Sequence, residues 1–404
     1  MPLKPYRQVL AIPRVPSSMV LMFFARLPMT MMGVTLTMYV VSVLGRGYGA
    51  AGLVGAATTL GSALGAPLIG RLIDRFGLRP IVTVCGISST AFWIAVPHLS
   101  FTTLVVVAFP AGLLAVPAGS LARQVLTALV PTPHRRSAYS LDTILVEASF
   151  MIGPAAGIAA ITKLPATLTL SGIGVLFGAT ALLLWITNPP IRSEDEQPTV
   201  LAGPRPPLRD WLSGQLIGTL FVAAGALFCL VGTEVATLAA LRATGETSWT
   251  GLVIVVMCVA SLVGGVIHGA VKRSLPQAAL MFLLAVLVIP VGLADQPWWL
   301  LALVLIPTNV LCAPTLAATT ETVGRLAPAR VRGEAMGLQD ASTRLGLAIG
   351  SPVVGFAIDH TSPAWGFVAS GVGALLIAAI GLLWHRKRTT GHVPAMASSA
   401  SASA

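Results

Sequence analysis

Charge is what this chain has least of: Asp, Glu, Lys and Arg make up only 10% of its 404 residues, against roughly 25% in an ordinary soluble domain. With 55% hydrophobic residues and a mean hydropathy of +0.86, it has too little polar surface to coat a water-soluble globule and reads as a polytopic membrane protein. Cysteine is scarce too. Cys85, Cys229, Cys258 and Cys312 all fall inside apolar runs with no paired spacing, which argues against a disulfide framework and a zinc site and leaves them as small core residues. The six histidines lie mainly in loops or tail, and none pairs at helical spacing with another candidate ligand. No glycine-lysine phosphate loop exists, so neither a membrane-embedded enzyme nor ATP as energy source is indicated, and no cofactor or metal is expected. The net charge of +11 comes from basic residues scattered singly through short loops, without the patch or stripe that a nucleic-acid partner needs.

What is present is a series of apolar runs near the roughly 20 residues that cross a bilayer as helix. They fall at 17–43, 49–69, 81–97, 101–122, 138–162 and 164–187, then at 211–241, 249–271, 276–294, 297–323, 335–358 and 363–384. That makes twelve spans in two sets of six. The first run follows basic residues as in a signal peptide, but it is too long and lacks a small-x-small cleavage site, so it is read as span 1. Between the sets lies Asn188–Asp210, which carries SEDEQP and PRPP and reads as a linker. The expected division is therefore 1–187, a first six-helix bundle; 188–210, a linker; 211–385, a second bundle; and 386–404, a low-complexity tail expected to be disordered. Of the 25 Lys and Arg, 20 fall on the side of the termini, whereas the opposite side has only Arg46, Lys163 and Arg242. By the positive-inside rule both termini are cytoplasmic, which suits a multi-pass protein of the plasma membrane.

The two sets also repeat. Pro110, Pro117 and Pro131 recur 197 positions later as Pro307, Pro314 and Pro328, and Arg135, Leu141 and Gly153 recur at the same offset as Arg332, Leu338 and Gly350. Spans 4 and 10 each hold two prolines seven residues apart, which predicts bends suited to gating.

Between spans 2 and 3 stands Gly70–Pro80, GRLIDRFGLRP, a short basic segment expected as a tight loop. Its pattern, carried by Gly70, Leu72, Asp74, Arg75, Gly77 and Arg79, resembles the loop between helices 2 and 3 of the major facilitator superfamily. The segment Gly269–Pro276 after span 8 resembles a worn copy without the aspartate. In span 5, Gly153, Pro154 and Gly157 resemble the core of a motif of drug:proton antiporters in that superfamily, whereas the span-4 arginine of many such antiporters is replaced by Ala108. The resemblance implies an all-α integral membrane fold, twelve helices in two pseudo-symmetric six-helix bundles, acting as a monomer in the bilayer. It implies a secondary active transporter, with proton-coupled export of a small, rather apolar molecule by alternating access favoured. Import or uniport of a small metabolite, and a sensor or scaffold that moves nothing, are the alternatives. By resemblance, Asp74 is a conformational latch at the start of span 11, near Gly333.

Charges inside a membrane are costly enough that each is a functional candidate. Arg26, Glu147, Glu234 and Arg344 are the candidates for proton coupling or substrate contact, and Arg26 with Glu147 is the expected pair because both lie about ten residues, roughly 15 Å, into their helices.

Overall fold

A chain segment in lipid must satisfy its own backbone N–H and C=O groups, and for apolar runs of this length the helix does so within one segment. The computed structural model describes residues 4–46, 48–193, 206–271, 274–294 and 296–390, and among these every regular element is helical. Twelve helical stretches are long and apolar enough to cross a membrane: span 1 Val15–Ser42, span 2 Ala50–Phe76, span 3 Leu78–His98, span 4 Phe101–Leu129, span 5 Thr132–Lys163 and span 6 Ala166–Thr187. Span 7 Gly214–Ala243, span 8 Thr250–Ala270, span 9 Gln277–Ala294, span 10 Trp298–Leu326, span 11 Ala329–His360 and span 12 Pro363–Gly381 complete them.

Each set of six packs around its own apolar interior. Leu36, Val54, Trp93, Leu104 and Ile173 interlock in the first, and Phe228, Met257, Leu284, Leu305 and Phe367 in the second. Large apolar side chains also point outward, as at Val106, Ile87 and Phe356, the surface a lipid-facing helix presents. Small residues set the closest helix contacts. A Cβ on Gly153 would overlap the Thr30 side chain and one on Gly157 would meet Thr35 Oγ1 at 2.6 Å, so span 5 lies directly on span 1. Gly346 and Gly350 press span 11 against span 7 at Ala224 and Phe228 in the corresponding way. The helix of span 5 stays continuous through Pro154.

The repeat is visible in the backbone. Short 3₁₀ turns at Thr132–His134 and Ala329–Val331 precede helices that start at Arg135 and Arg332. Spans 4 and 10 are both broken, between Leu113 and Ala118 and between Val310 and Cys312, after the first proline of each pair.

Three expectations need correcting. Gly70–Phe76 is not a loop: span 2 continues as helix to Phe76 and the next helix starts at Leu78, so Gly77 alone, at φ 84°, makes the turn. A residue without Cβ adopts that left-handed φ freely, which lets the charged turns stay helical up to the break. Span 4 does not end at 122: its second helix runs Ala118–Leu129, so Arg123 is a charge within the span and not in a loop. Finally, the helix that begins at Pro363 runs to Thr390, so the first residues of the expected tail are helical. The rest of that tail, most of the linker, and Lys272 and Arg273 in the worn repeat lie outside the described residues.

Candidate substrate cavity and the seam that closes it

A cavity of about 200 Å³ sits between the two sets of six helices, lined by five charged side chains. Arg26 of span 1 is 5% exposed and Asp142 of span 5 is 6% exposed. Arg26 Nη2 donates to Asp142 Oδ1 at 2.7 Å, the length of a charge-assisted bond. Across the cavity, Asp340 of span 11 accepts from Arg344 Nε at 2.9 Å one helical turn on, and Arg123 Nη2 of span 4 stands 3.5 Å from its other oxygen. Arg344 Nη1 also donates to Ser62 Oγ of span 2 at 3.2 Å, so the pair on span 11 is tied to the first set twice. Thr30, Thr143, Gln339, Met29, Phe150 and Leu227 complete much of the wall.

The expected pair of Arg26 with Glu147 does not form. Asp142 and Glu147 are five residues apart on one helix, hence about 140° apart around its axis, so only one can face span 1. Glu147 points instead to span 8, where Ser261 Oγ donates to its Oε1 at 3.0 Å. Glu234 of span 7 lies close enough to interact electrostatically with Glu147 and is exposed. Of the four in-span candidates, the fold brings Arg26 and Arg344 to the cavity and leaves Glu147 and Glu234 as a second group. Asp142, Arg123 and Asp340 were missed. Asp142 lies inside the apolar run 138–162 and Asp340 inside 335–358, one turn before Arg344, so both were legible as in-span charges.

Between the cavity and the face that bears most of the basic residues, the two sets meet at two seams. At the first, spans 2 and 11 touch backbone to backbone, since a Cβ on Gly70 would overlap the Gly333 carbonyl. Asp74 sits over the start of the span-11 helix, Oδ1 accepting from Gly333 N at 3.2 Å and Oδ2 from Glu334 N at 3.1 Å. Both amides belong to the first turn of the helix that starts at Arg332, where the dipole favours a carboxylate. Arg192 donates to the Asp74 carbonyl. The other motif residues serve the first set alone. Arg79 donates to the Trp185 carbonyl at 3.1 Å and lies over the Trp185 ring, joining span 3 to span 6, while Arg75 covers Phe76 and Leu72 is half-buried.

At the second seam, spans 5 and 8 are joined by Ser137 Oγ donating to the Gly269 carbonyl at 2.6 Å, and Arg136 Nε of span 5 meets Glu321 Oε2 of span 10 at 3.1 Å. A short helix before span 1, Lys4–Leu10, lies across this seam. Its Tyr6 hydroxyl donates to the Val266 carbonyl at 2.6 Å, and burial pushes that phenol up to about 12, so it stays a donor at any physiological pH.

A family model described as Major Facilitator Superfamily matches residues 18–294 and 243–400. The chain belongs to that superfamily. A search of curated proteins gave no match. Solved major facilitators share the fold at low identity. The human organic anion transporter TETRAN has 18% identity and a TM-score of 0.69, covering 93% of this chain and 99% of its own. The proton:xylose symporter XylE has 14% identity and a TM-score of 0.68 over 93% and 96%. A bacterial homologue of the iron transporter ferroportin, in an outward-facing state, has 14% identity and a TM-score of 0.71 over 92% and 99%.

Membership makes this chain a membrane transporter and not an enzyme. In this major facilitator the cavity lies at the interface of the two halves, where transporters built from repeats hold their substrates. Its seams combine close backbone packing at Gly70 and Gly337 with hydrogen bonds and single ion pairs, contacts between helices that part without unfolding either half.

Proposed function

We propose that this major facilitator is a secondary active transporter of the plasma membrane, exporting a small molecule with an apolar body in exchange for protons. The observation that carries the reading is the cavity walled by both halves, with polar seams between it and the basic face. Met29, Val146, Phe150, Leu227, Leu316 and Leu347 suit an apolar substrate body. The positive-inside rule makes the basic face cytoplasmic, with both termini there, so the form described here is the one closed towards the cytoplasm. The halves, 1–187 and 211–385, then rock about the cavity while Asp74 latches and releases span 11.

Glu147 is the proposed proton carrier. Asp142 and Asp340 are held by arginines, whereas Glu147 has a hydroxyl partner and no ion pair among the described residues, so it exchanges a proton without breaking one. Glu234 is the second candidate on the same route. Export is favoured over import by Gly153-Pro154-Ala155-Ala156-Gly157, the antiporter-like segment that seats span 5 on span 1.

The test is substrate accumulation, across a panel of compounds, in cells with and without the gene. Lower accumulation of at least one compound, abolished by a protonophore, is expected; higher accumulation would make the protein an importer, and no change for any compound would refute transport.

A further inference from the structure

The cavity has more hydrogen-bond donors and more positive charge than its own residues satisfy. Three guanidiniums, Arg26, Arg123 and Arg344, face two carboxylates, Asp142 and Asp340, which leaves one net positive charge once both carboxylates are ionised. Arg26 uses Nη2 on Asp142, but its Nε and Nη1 are buried with no hydrogen-bond partner. Arg123 Nε and Nη2 are likewise buried without a hydrogen bond, the 3.5 Å approach of Nη2 to Asp340 being too loose to make one. Against these four unmet donor atoms the wall offers one buried unmet acceptor, Gln339 Oε1. We propose that the substrate site is built for a small monoanion, a carboxylate on an apolar body, whose two oxygens accept from Arg26 and Arg123.

The chemistry selects this class over its neighbours. Water supplies acceptors without the negative charge, a neutral ligand leaves an uncompensated charge in a low-dielectric cavity, and a cation adds to it. A dianion would reverse the imbalance, whereas one carboxylate, with about four lone-pair sites, matches both the charge and the donors. Phe150, Leu227 and Leu347 on the same wall cover the apolar body. The cavity's 200 Å³ lies below the roughly 300–1,000 Å³ of drug-sized pockets, which favours an acid of few atoms.

This assignment rests on the transporter reading for its biological meaning, and its test is chosen to separate the two. Benzoate, benzamide and benzylammonium share one apolar ring and differ in charge, so their affinities for the purified, full-length protein are measured by calorimetric titration. Benzoate is expected to bind at least ten-fold more tightly than benzamide, and benzylammonium not at all. Arg123→Gln should weaken benzoate about ten- to a hundred-fold, as expected for losing a hydrogen bond between charged groups, and leave benzamide unchanged. Arg123→Lys should fall between, and Arg46→Gln, an exposed charge on the opposite face, should change nothing. Equal binding of all three probes, tighter binding of benzamide or benzylammonium, or full benzoate affinity in Arg123→Gln would overturn the assignment. If Arg123→Gln does not fold, the same question is put to Thr143→Cys on the cavity wall with the native cysteines replaced: benzoate but not benzamide should slow its alkylation, and equal protection or none overturns the proposal. Counterflow in proteoliposomes separates the two readings. Benzylammonium moved in place of benzoate sinks the anion site and keeps the transporter, while benzoate that binds but is never moved sinks the transporter and keeps the site.

Discussion

Replacing Asp74 with Asn removes the charge at the span-2 seam while keeping the shape of the side chain. In the closed form described here, Asp74 accepts from two amides at 3.1 and 3.2 Å at the start of the span-11 helix. Hydrogen bonds to a charged group contribute about 1.5–3 kcal/mol each, and a carboxylate at a helix N-terminus about 0.3–1 kcal/mol more. Asn still accepts one bond through its amide oxygen, so the loss is one charge-assisted bond, part of the second, and the dipole interaction. Asp74 is partly buried, and discounting for its remaining contact with solvent leaves about 2 kcal/mol. That shifts the ratio of closed to open form by about 30-fold towards the form open on the basic face. The assay is the alkylation rate of a cysteine at Ser140, which is 0% exposed and packs against Gly269 at the second seam, in a background without the four native cysteines. Its labelling should be slow in the parent and rise about 30-fold with Asp74→Asn, as long as the open form stays the minor one. Transport should stall at normal expression, because the latch that draws the cycle back to its closed form is weakened. An unchanged labelling rate, or full transport by the variant, would reduce Asp74 to an ordinary surface charge.

Removing one partner of the buried pair, by Arg26→Gln or Asp142→Asn, should lower stability by about 3–5 kcal/mol, read as an earlier denaturation midpoint, and the double variant should recover part of that loss. Glu147→Gln should fold normally and lose pH-driven uphill transport while keeping some downhill exchange; uphill transport with its normal pH dependence would clear Glu147 of proton carriage. Single cysteines at Arg46, Lys163 and Arg242 should react with impermeant thiol reagents from outside the cell, and those at Arg79 and Arg136 should not; outside labelling of the second group would invert the orientation.

How far the sequence carried depends on which property each feature rests on. The number of spans and their two sets were legible because a membrane helix needs only length and apolarity to satisfy its backbone, and both are sums over local residues. The breaks in spans 4 and 10 followed from prolines, whose effect is also local. Span ends were read less well. A run of apolar residues stops at the first charge, so Arg123 and Gly70–Phe76 fell into loops, although charges are tolerated in a helix when a partner or the membrane surface receives them. The site suffered most from the missing rotation of one helix against another. Glu147 and Asp142 share span 5 and its hydropathy, and nothing local says which of two faces 140° apart meets Arg26.

By itself, then, the sequence determined the helical class, the twelve spans, the internal repeat and the motif that carries Asp74, because these are written in composition, spacing and short-range order. The tertiary structure alone decided that Arg26 pairs with Asp142, that Arg123 crosses the interface to Asp340, and that Tyr6 closes over span 8. Each of those joins residues more than a hundred positions apart, and their meeting depends on how packed helices are rotated and set against one another, which small residues such as Gly70, Gly153 and Gly346 govern by close approach.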